Sequence, residues 1–287
     1  MLSILLLLFQ YKPVQTWAAK KATVYLSEKL HTKVDIKSIY LKPFSSVVLE
    51  DFYVLDKKQD TLISTPKLTV DINGFSLFSS IKQRTLDLSL VQLDNGSAYL
   101  KKQKDSSSNL KFILDYFSSP PDTGKKPSKP WKVTFEKVVI NNFHFRYKNQ
   151  LIDTVMPQVN FDDIDLTRFS TVMQDLDFAH HLFKANISKL TLHDKSGFYL
   201  KNLVGAATVD TNQILVQNMH LQTAHSDLKN YFRMKFHSFA DFDDIEDKVY
   251  MDANFKSSQI ASSDIGYFTD GLDRTKFDLG LEGRIKG

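Results

Sequence analysis

Cysteine is absent from the 287 residues. That excludes disulfides, thiolate metal sites and cysteine nucleophiles. Charge of one sign is missing too: 37 basic against 33 acidic side chains leave a net charge of +4, spread too evenly for a nucleic-acid footprint. The sequence contains no G-x-S-x-G, no glycine-rich phosphate loop and no G-x-G-x-x-G, so nucleophile elbows and nucleotide cradles are not signalled. Its eight histidines have no zinc-binding or catalytic spacing. His180-His181 are neighbours that point to opposite sides of a strand, and His220 and His225 lack a third ligand. "FDDIDL" and "FDDIEDK" lack the glycine that a calcium loop needs at its sixth position and read as turn carboxylates. These absences argue against an enzyme and imply no cofactor.

Long hydrophobic runs are also scarce. Leu2, Ile4, Leu5, Leu6, Leu7, Leu8 and Phe9 form a short apolar stretch, whereas a spanning helix needs about 20 apolar residues. No basic residue precedes the run and no clean A-x-A site follows it, which weighs against a signal peptide. Tyr11, Lys12 and Trp17 fall where aromatic and basic residues gather at a membrane interface. Two readings follow: a cleaved leader, or the end of a longer spanning helix.

What the sequence has is apolar surface, 42% hydrophobic and 12% aromatic with 22 Phe and 11 Tyr, ample for a folded core. Residues 13–31 read as an amphipathic helix, with Pro13 in its first turn and Val14, Trp17, Ala18, Ala22, Tyr25, Leu26 and Leu30 recurring at helical steps. Beyond it the period becomes two. "KLTVDING" sets Leu68, Val70 and Ile72 on one face and signals a hairpin at Asn73-Gly74. "TLDLSL" sets Leu86, Leu88 and Leu90 against Asp87 and Ser89. "KVDIKSIYLK" shifts register near Ser38. "WKVTFEKVVINNFHFRYK" alternates through Trp131, Val133 and Phe135, slips, and resumes at Phe143, Phe145 and Tyr147, the signature of a β-bulge. Similar stretches recur to Gly287, giving a dozen or more strands, mostly antiparallel by their short connections.

Two interruptions divide this pattern. "SSSNLKFILDYF" predicts a short helix near 109–117, capped at Ser108 or Asn109. The proline-rich 118–130 reads as a linker or loop between a first β segment, 32–117, and a second, 131–287. "SSDIGYFTDGL" predicts a further helical turn.

The segments "LEDFYVLDKKQDTLISTPKLTVDI", "SSSNLKFILDYF" and "LTLHDKSGFYLKNLVGAATVDTNQILVQNMHLQTAHSDL" resemble, in order, the amino-terminal part of Bacteroidetes TamB-like proteins of the AsmA-like superfamily. Ser196-Gly197-Phe198 and the run Leu221-x-Thr223-x-x-Ser226 carry most of the likeness, and "SSDIGYFTDGL" with "LEGRIKG" continues it. The resemblance implies a mainly β fold: a long, antiparallel, twisted, taco-like β-groove of repeating strands, with an amino-terminal helix and few short helices. It implies a longer protein, anchored by one helix in the inner membrane with its body in the periplasm, and makes residues 1–12 the end of that anchor. It also implies phospholipids as cargo between inner and outer membranes, and a part in outer-membrane protein assembly through an Omp85-type partner bound by a carboxyl-terminal domain outside this sequence. The groove lining expected from alternation is Leu68, Val70, Ile72, Leu86, Leu88, Leu90, Val133 and Phe135. Alternation equally permits a scaffold that pairs its edges with client strands, or a closed β-sandwich with a dry core.

Overall fold

A computed structural model describes residues 11–41, 46–73, 85–118, 132–153, 158–179, 182–238, 241–242, 245–269 and 276–287. The predicted anchor residues Leu2 to Phe9, most of the proline-rich segment, Trp131 and His180-His181 lie outside these. Among the described residues no helix is long and apolar enough to cross a membrane.

Helix α1 spans Lys12–Leu30, within a residue of the predicted bounds, and stops where His31 adopts a left-handed conformation (φ 49°). Its buried residues are Gln15, Ala19 and Leu30, with Ala22 and Leu26 packed beside them. This corrects the expected face, because Trp17 and Tyr25 are exposed. Apolar residues occur around most of the helix, and the sheet takes the stripe containing Ala19 and Ala22. Small side chains let the backbones approach, which a Trp17 face would not.

The strands are β1 (Val34–Asp35), β2 (Ser38–Leu41), β3 (Ser46–Leu55), β4 (Thr61–Ile72), β5 (Thr85–Asp94), β6 (Ser97–Lys102), β7 (Lys132–Asn149), β8 (Asp163–Ala179), β9 (Leu182–Asp194), β10 (Tyr199–Val209), β11 (Gln213–Thr223), β12 (Asp227–Lys235), β13 (Tyr250–Ala261) and β14 (Asp278–Lys286). They join in chain order into one fourteen-stranded sheet, with β2 beside β3 and β6 between β4 and β7. The fold is therefore mainly β and mostly antiparallel, with an amino-terminal helix and, among the described residues, three shorter ones: α2 (Lys111–Ser118), α3 (Ile245–Lys248) and α4 (Ser262–Ile265). The exception is β7, which runs parallel to β5 and β6. A parallel neighbour needs a crossover, and α2 lies in the connection between β6 and β7.

Gly74 of the expected Asn73-Gly74 hairpin lies outside the described residues; β4 ends at Ile72 and the next described strand, β5, begins at Thr85. Helix α2 starts at Lys111 because Asn109 is committed elsewhere: its Oδ1 accepts the Lys101 backbone N–H and its Nδ2 donates to Asp56 and to the Tyr99 carbonyl.

The chain forms two compact units, Met1–Val155 with Phe161–Leu166, and Met156–Asn160 with Thr167–Gly287. Each has a line of left-handed residues crossing its strands. In the first these are Asp51 (φ 47°), Asn95 (φ 54°) and Asn142 (φ 49°). In the second they are Asp175, Gly205, Asn218, Asn230, Ser257 and Gly283, on β8 and β10 to β14. Register shifts coincide with them, at Val204/Ala206, Gln217/Met219 and Phe255/Ser258. Bulges bend a strand and sharpen its twist, so bulges aligned from strand to strand make a crease. The side chains cross-link along it: Asn142 Nδ2 donates to Asn95 Oδ1 (2.8 Å), Asn186 Nδ2 to Asp175 Oδ2 (2.8 Å) and Asn230 Nδ2 to the Asn254 carbonyl (2.9 Å). Asn, Asp, Ser and Gly are the residues that tolerate this backbone at least cost.

Candidate functional site

In the first unit, strand register lines up apolar residues in rows. One runs Ile39–Leu49–Leu68–Leu93–Ile140, the next Val47–Val70–Val91–Val138, then Ile72–Leu88–Phe135 and Leu86–Val133. Directly opposed residues share a face of the sheet, so these rows form one apolar surface. Helix α1 covers its start, where Ala19 packs on Ile36 and Ile39 with Val47 and Leu49 alongside. Across the crease, Val54 and Leu62 are buried under Leu30 of α1 and under Phe112, Ile113 and Tyr116 of α2. Over β4 to β7 on the near side, Leu68, Val70, Leu86, Val91, Leu93, Val133, Val138 and Ile140 are only half-buried.

Of the eight predicted lining residues, the structure brings seven onto this surface. Leu90 is the exception. The register shift between Asp71 and Ile72 places Ile72 opposite Leu88 but Asp71 opposite Leu90. Successive residues of β4 face opposite ways, so Leu90 shares the face of Asp71, not that of Leu88. Val91, Leu93, Val138 and Ile140 were missed for the same reason. Their signal is the adjacent apolar pair at each slip, Leu90-Val91 and Val138-Val139, where the alternation changes parity.

The second unit repeats the arrangement. Ala185–Ala207–Val216–Phe232–Ala253–Ile285 forms one row, Phe183–Val209–Ile214–Met234–Met251 another, and Leu203–Leu221–Leu228 a third. Val216, Met219, Ala253 and Phe255 are buried here, packed with Leu203, Leu221, Leu228, Phe232 and Leu281. All of these come from neighbouring strands of one sheet, and Val216 and Leu221 lie on opposite sides of the Asn218 bulge. Such a cluster requires the sheet to bend toward its apolar side. The crease residues Asp175, Asn218, Ser257 and Gly283 are exposed.

The opposite face is polar. Thr208–Leu215–Arg233–Asp252–Lys286 runs across it, and Asp252 accepts from Arg284 Nε (2.9 Å) and Nη2 (2.7 Å) and from Arg233 Nη2 (3.0 Å). The Arg284 guanidinium, with Arg233 behind it, holds the Asp252 carboxyl down to about 2 from an ordinary 3.8.

The polar residues of the sequence motifs are engaged within the fold. Asp56 caps its own turn by accepting the Lys58 and Asp60 N–H groups, takes a third bond from Asn109, and so ties the β3–β4 turn to the segment before α2. Asp264 of α4 accepts the hydroxyls of Thr223 and Ser226 (2.6 Å from Ser226) and the His225 N–H. Phe198 packs edge-on against Tyr267 and Phe268, and Gly197 (φ 96°) turns the chain beneath the Tyr267 ring. The Ser-Gly-Phe turn, the Thr-x-x-Ser turn and the segment after β13 thus meet at one end of the second unit. His144 pairs with Asp165 (2.6 Å) and His220 with Asp227 (2.8 Å), each a half-exposed contact. Among the described residues no group of His, Asp and Glu is placed to hold a metal ion. The arrangement offers apolar surface. No known protein-family model matches the sequence, and no curated protein matches it.

Proposed function

We propose that the apolar faces of the bent sheet hold phospholipid acyl chains, and that the protein carries phospholipids between inner and outer membranes. It is an inner-membrane-anchored protein with its body in the periplasm, and it serves outer-membrane protein assembly through an Omp85-type partner. The observation that carries this reading is the set of apolar rows running strand to strand, mostly half-buried over β4, β5 and β7, with Ile72 and Leu88 buried among them. Acyl chains suit such a surface because the hydrophobic effect needs no directional partner. A carrier of this type needs no catalytic residue, and the motif polar groups are engaged in turns. The resemblance to TamB-like proteins points the same way.

A photo-crosslinking side chain at Val91, with Gln92 as its control, tests the proposal in cells. Neighbouring strand positions face opposite sides, so Val91 captures phospholipid and Gln92 does not. Links from Val91 only to other parts of the same chain would mean a dry core and would overturn the reading.

A further inference from the structure

The outward side of α1 is open to solvent. Trp17, Val24 and Tyr25 stand there 59%, 53% and 53% exposed, although the buried stripe of the same helix is fully used. Large apolar side chains grouped on one exposed face mark a contact surface. On a helical projection Lys20 and Lys21 flank Trp17 and Val24, and Lys29 lies 5.9 Å from the Tyr25 ring. On the same projection the exposed face carries Lys20, Lys21 and Lys29 with one acidic residue, Glu28, between Val24 and Tyr25, while Lys12 falls on the side of Leu30. Among the described residues Lys20 and Lys21 form no ion pair.

From this geometry we infer that the outer face of α1 lies on the surface of an anionic bilayer, with Trp17, Val24 and Tyr25 at the headgroup–acyl boundary and the lysines on acidic headgroups. The chemistry selects this occupant. Tryptophan and tyrosine prefer the membrane interface because the ring is apolar and its tip is polar, and lysine stems reach along apolar surface while the ammonium meets the phosphate. The buried side of α1 covers the first strands of the apolar face. Docking therefore brings the start of that face to the bilayer. The docking itself does not depend on lipid transport, and the two fail separately: Val91 crosslinks report transport, and Trp17 reports docking.

The test uses the full chain with Trp131→Phe, which leaves Trp17 as the remaining tryptophan of two. It is mixed with vesicles of phosphatidylcholine, or of equimolar phosphatidylcholine and phosphatidylglycerol. On the anionic vesicles Trp17 emission moves to the blue and is quenched by lipids brominated near the headgroup, and added salt weakens the effect by screening. The double variant Lys20→Gln/Lys21→Gln lowers partitioning about 30-fold, about fivefold for each lysine near an anionic surface. Its melting temperature stays that of the parent, because both side chains are exposed. Trp17 fully open to aqueous iodide on anionic vesicles would overturn the inference. Unchanged partitioning of the double variant would overturn it as well, since Leu2 to Phe9 would then hold the chain without α1.

Discussion

Asp252 is the clearest single-residue case of a polar group placed for structure. Its side chain is 2% exposed, yet it is charged, because Arg233 and Arg284 reach it from the strands on either side. Removing one partner of such a group leaves a buried charge uncompensated. The sign of the pH effect follows from the depressed value. A carboxyl that ionises near 2 when folded and near 3.8 when unfolded stabilises the fold above the ordinary value. That stability is lost as pH falls from about 4 through about 2. In denaturant titrations across pH, the parent should therefore exceed Asp252→Asn at neutral pH. The gap should narrow below about pH 4 and close near pH 2. A gap that stays constant to the lowest pH would mean that packing around Asp252, not its charge, supplies the stability. Asp264 is the buried counterpart at the other end of the second unit, where one carboxylate oxygen gathers Thr223, His225 and Ser226.

At the scale of elements, the bulge decides more than strand propensity does. Alternation located the strands, including the 18-residue β7 with its slip. It did not show that the slips of neighbouring strands line up, because alignment depends on pairing register, and register involves residues far apart in the chain. Asn218 and Gly205 test the crease. Asn218 has φ 50°, a backbone that costs a β-branched residue about 1–2 kcal/mol. Asn218→Val should lose roughly that amount in urea unfolding, while Asn218→Gly stays close to the parent. Gly205→Val should lose more, since a Cβ there would meet Val216 Cγ1 at 2.8 Å and the Gln217 carbonyl at 2.9 Å with φ at 151°. Equal, small losses for all three would mean that the bulges are incidental to the bend. Helix α1 teaches the same lesson from the other side. Its existence and bounds were legible, but its buried face was not, because two apolar stripes compete and only contact with the sheet chooses between them.

At the scale of the molecule, a dry core and a lipid-holding face differ in what a truncation costs. Leu62 is 2% exposed in the cluster under α1 and α2, so Leu62→Ala should cost about 2–5 kcal/mol. Val138, half-buried in the row through Val91, should cost only about 1 kcal/mol as Val138→Ala, since a partly exposed methyl group contributes a fraction of its full burial energy. Equal losses at the two sites, read from chemical denaturation of the lipid-free protein, would mean that the Val138 row is closed in as tightly as the Leu62 cluster. Seven of the eight predicted lining residues are on the apolar surface because period-two alternation dictates which side chains share a face. Leu90 fell off it because a single extra residue in β5 reverses every side chain beyond the bulge.

By itself the sequence determined a chain of β-strands with one amino-terminal helix and the apolar identity of one strand face. These are local properties, fixed by the alternation and type of residues within a few positions. The tertiary structure decided the register that sets Asp71 against Leu90, the alignment of the left-handed residues into a crease, the face of α1 that meets the sheet, and the tying of distant motifs through Asp56–Asn109 and Asp264–Thr223–Ser226. Each of these joins residues far apart in the chain, and only backbone pairing and side-chain packing across the sheet choose among the partners that composition allows.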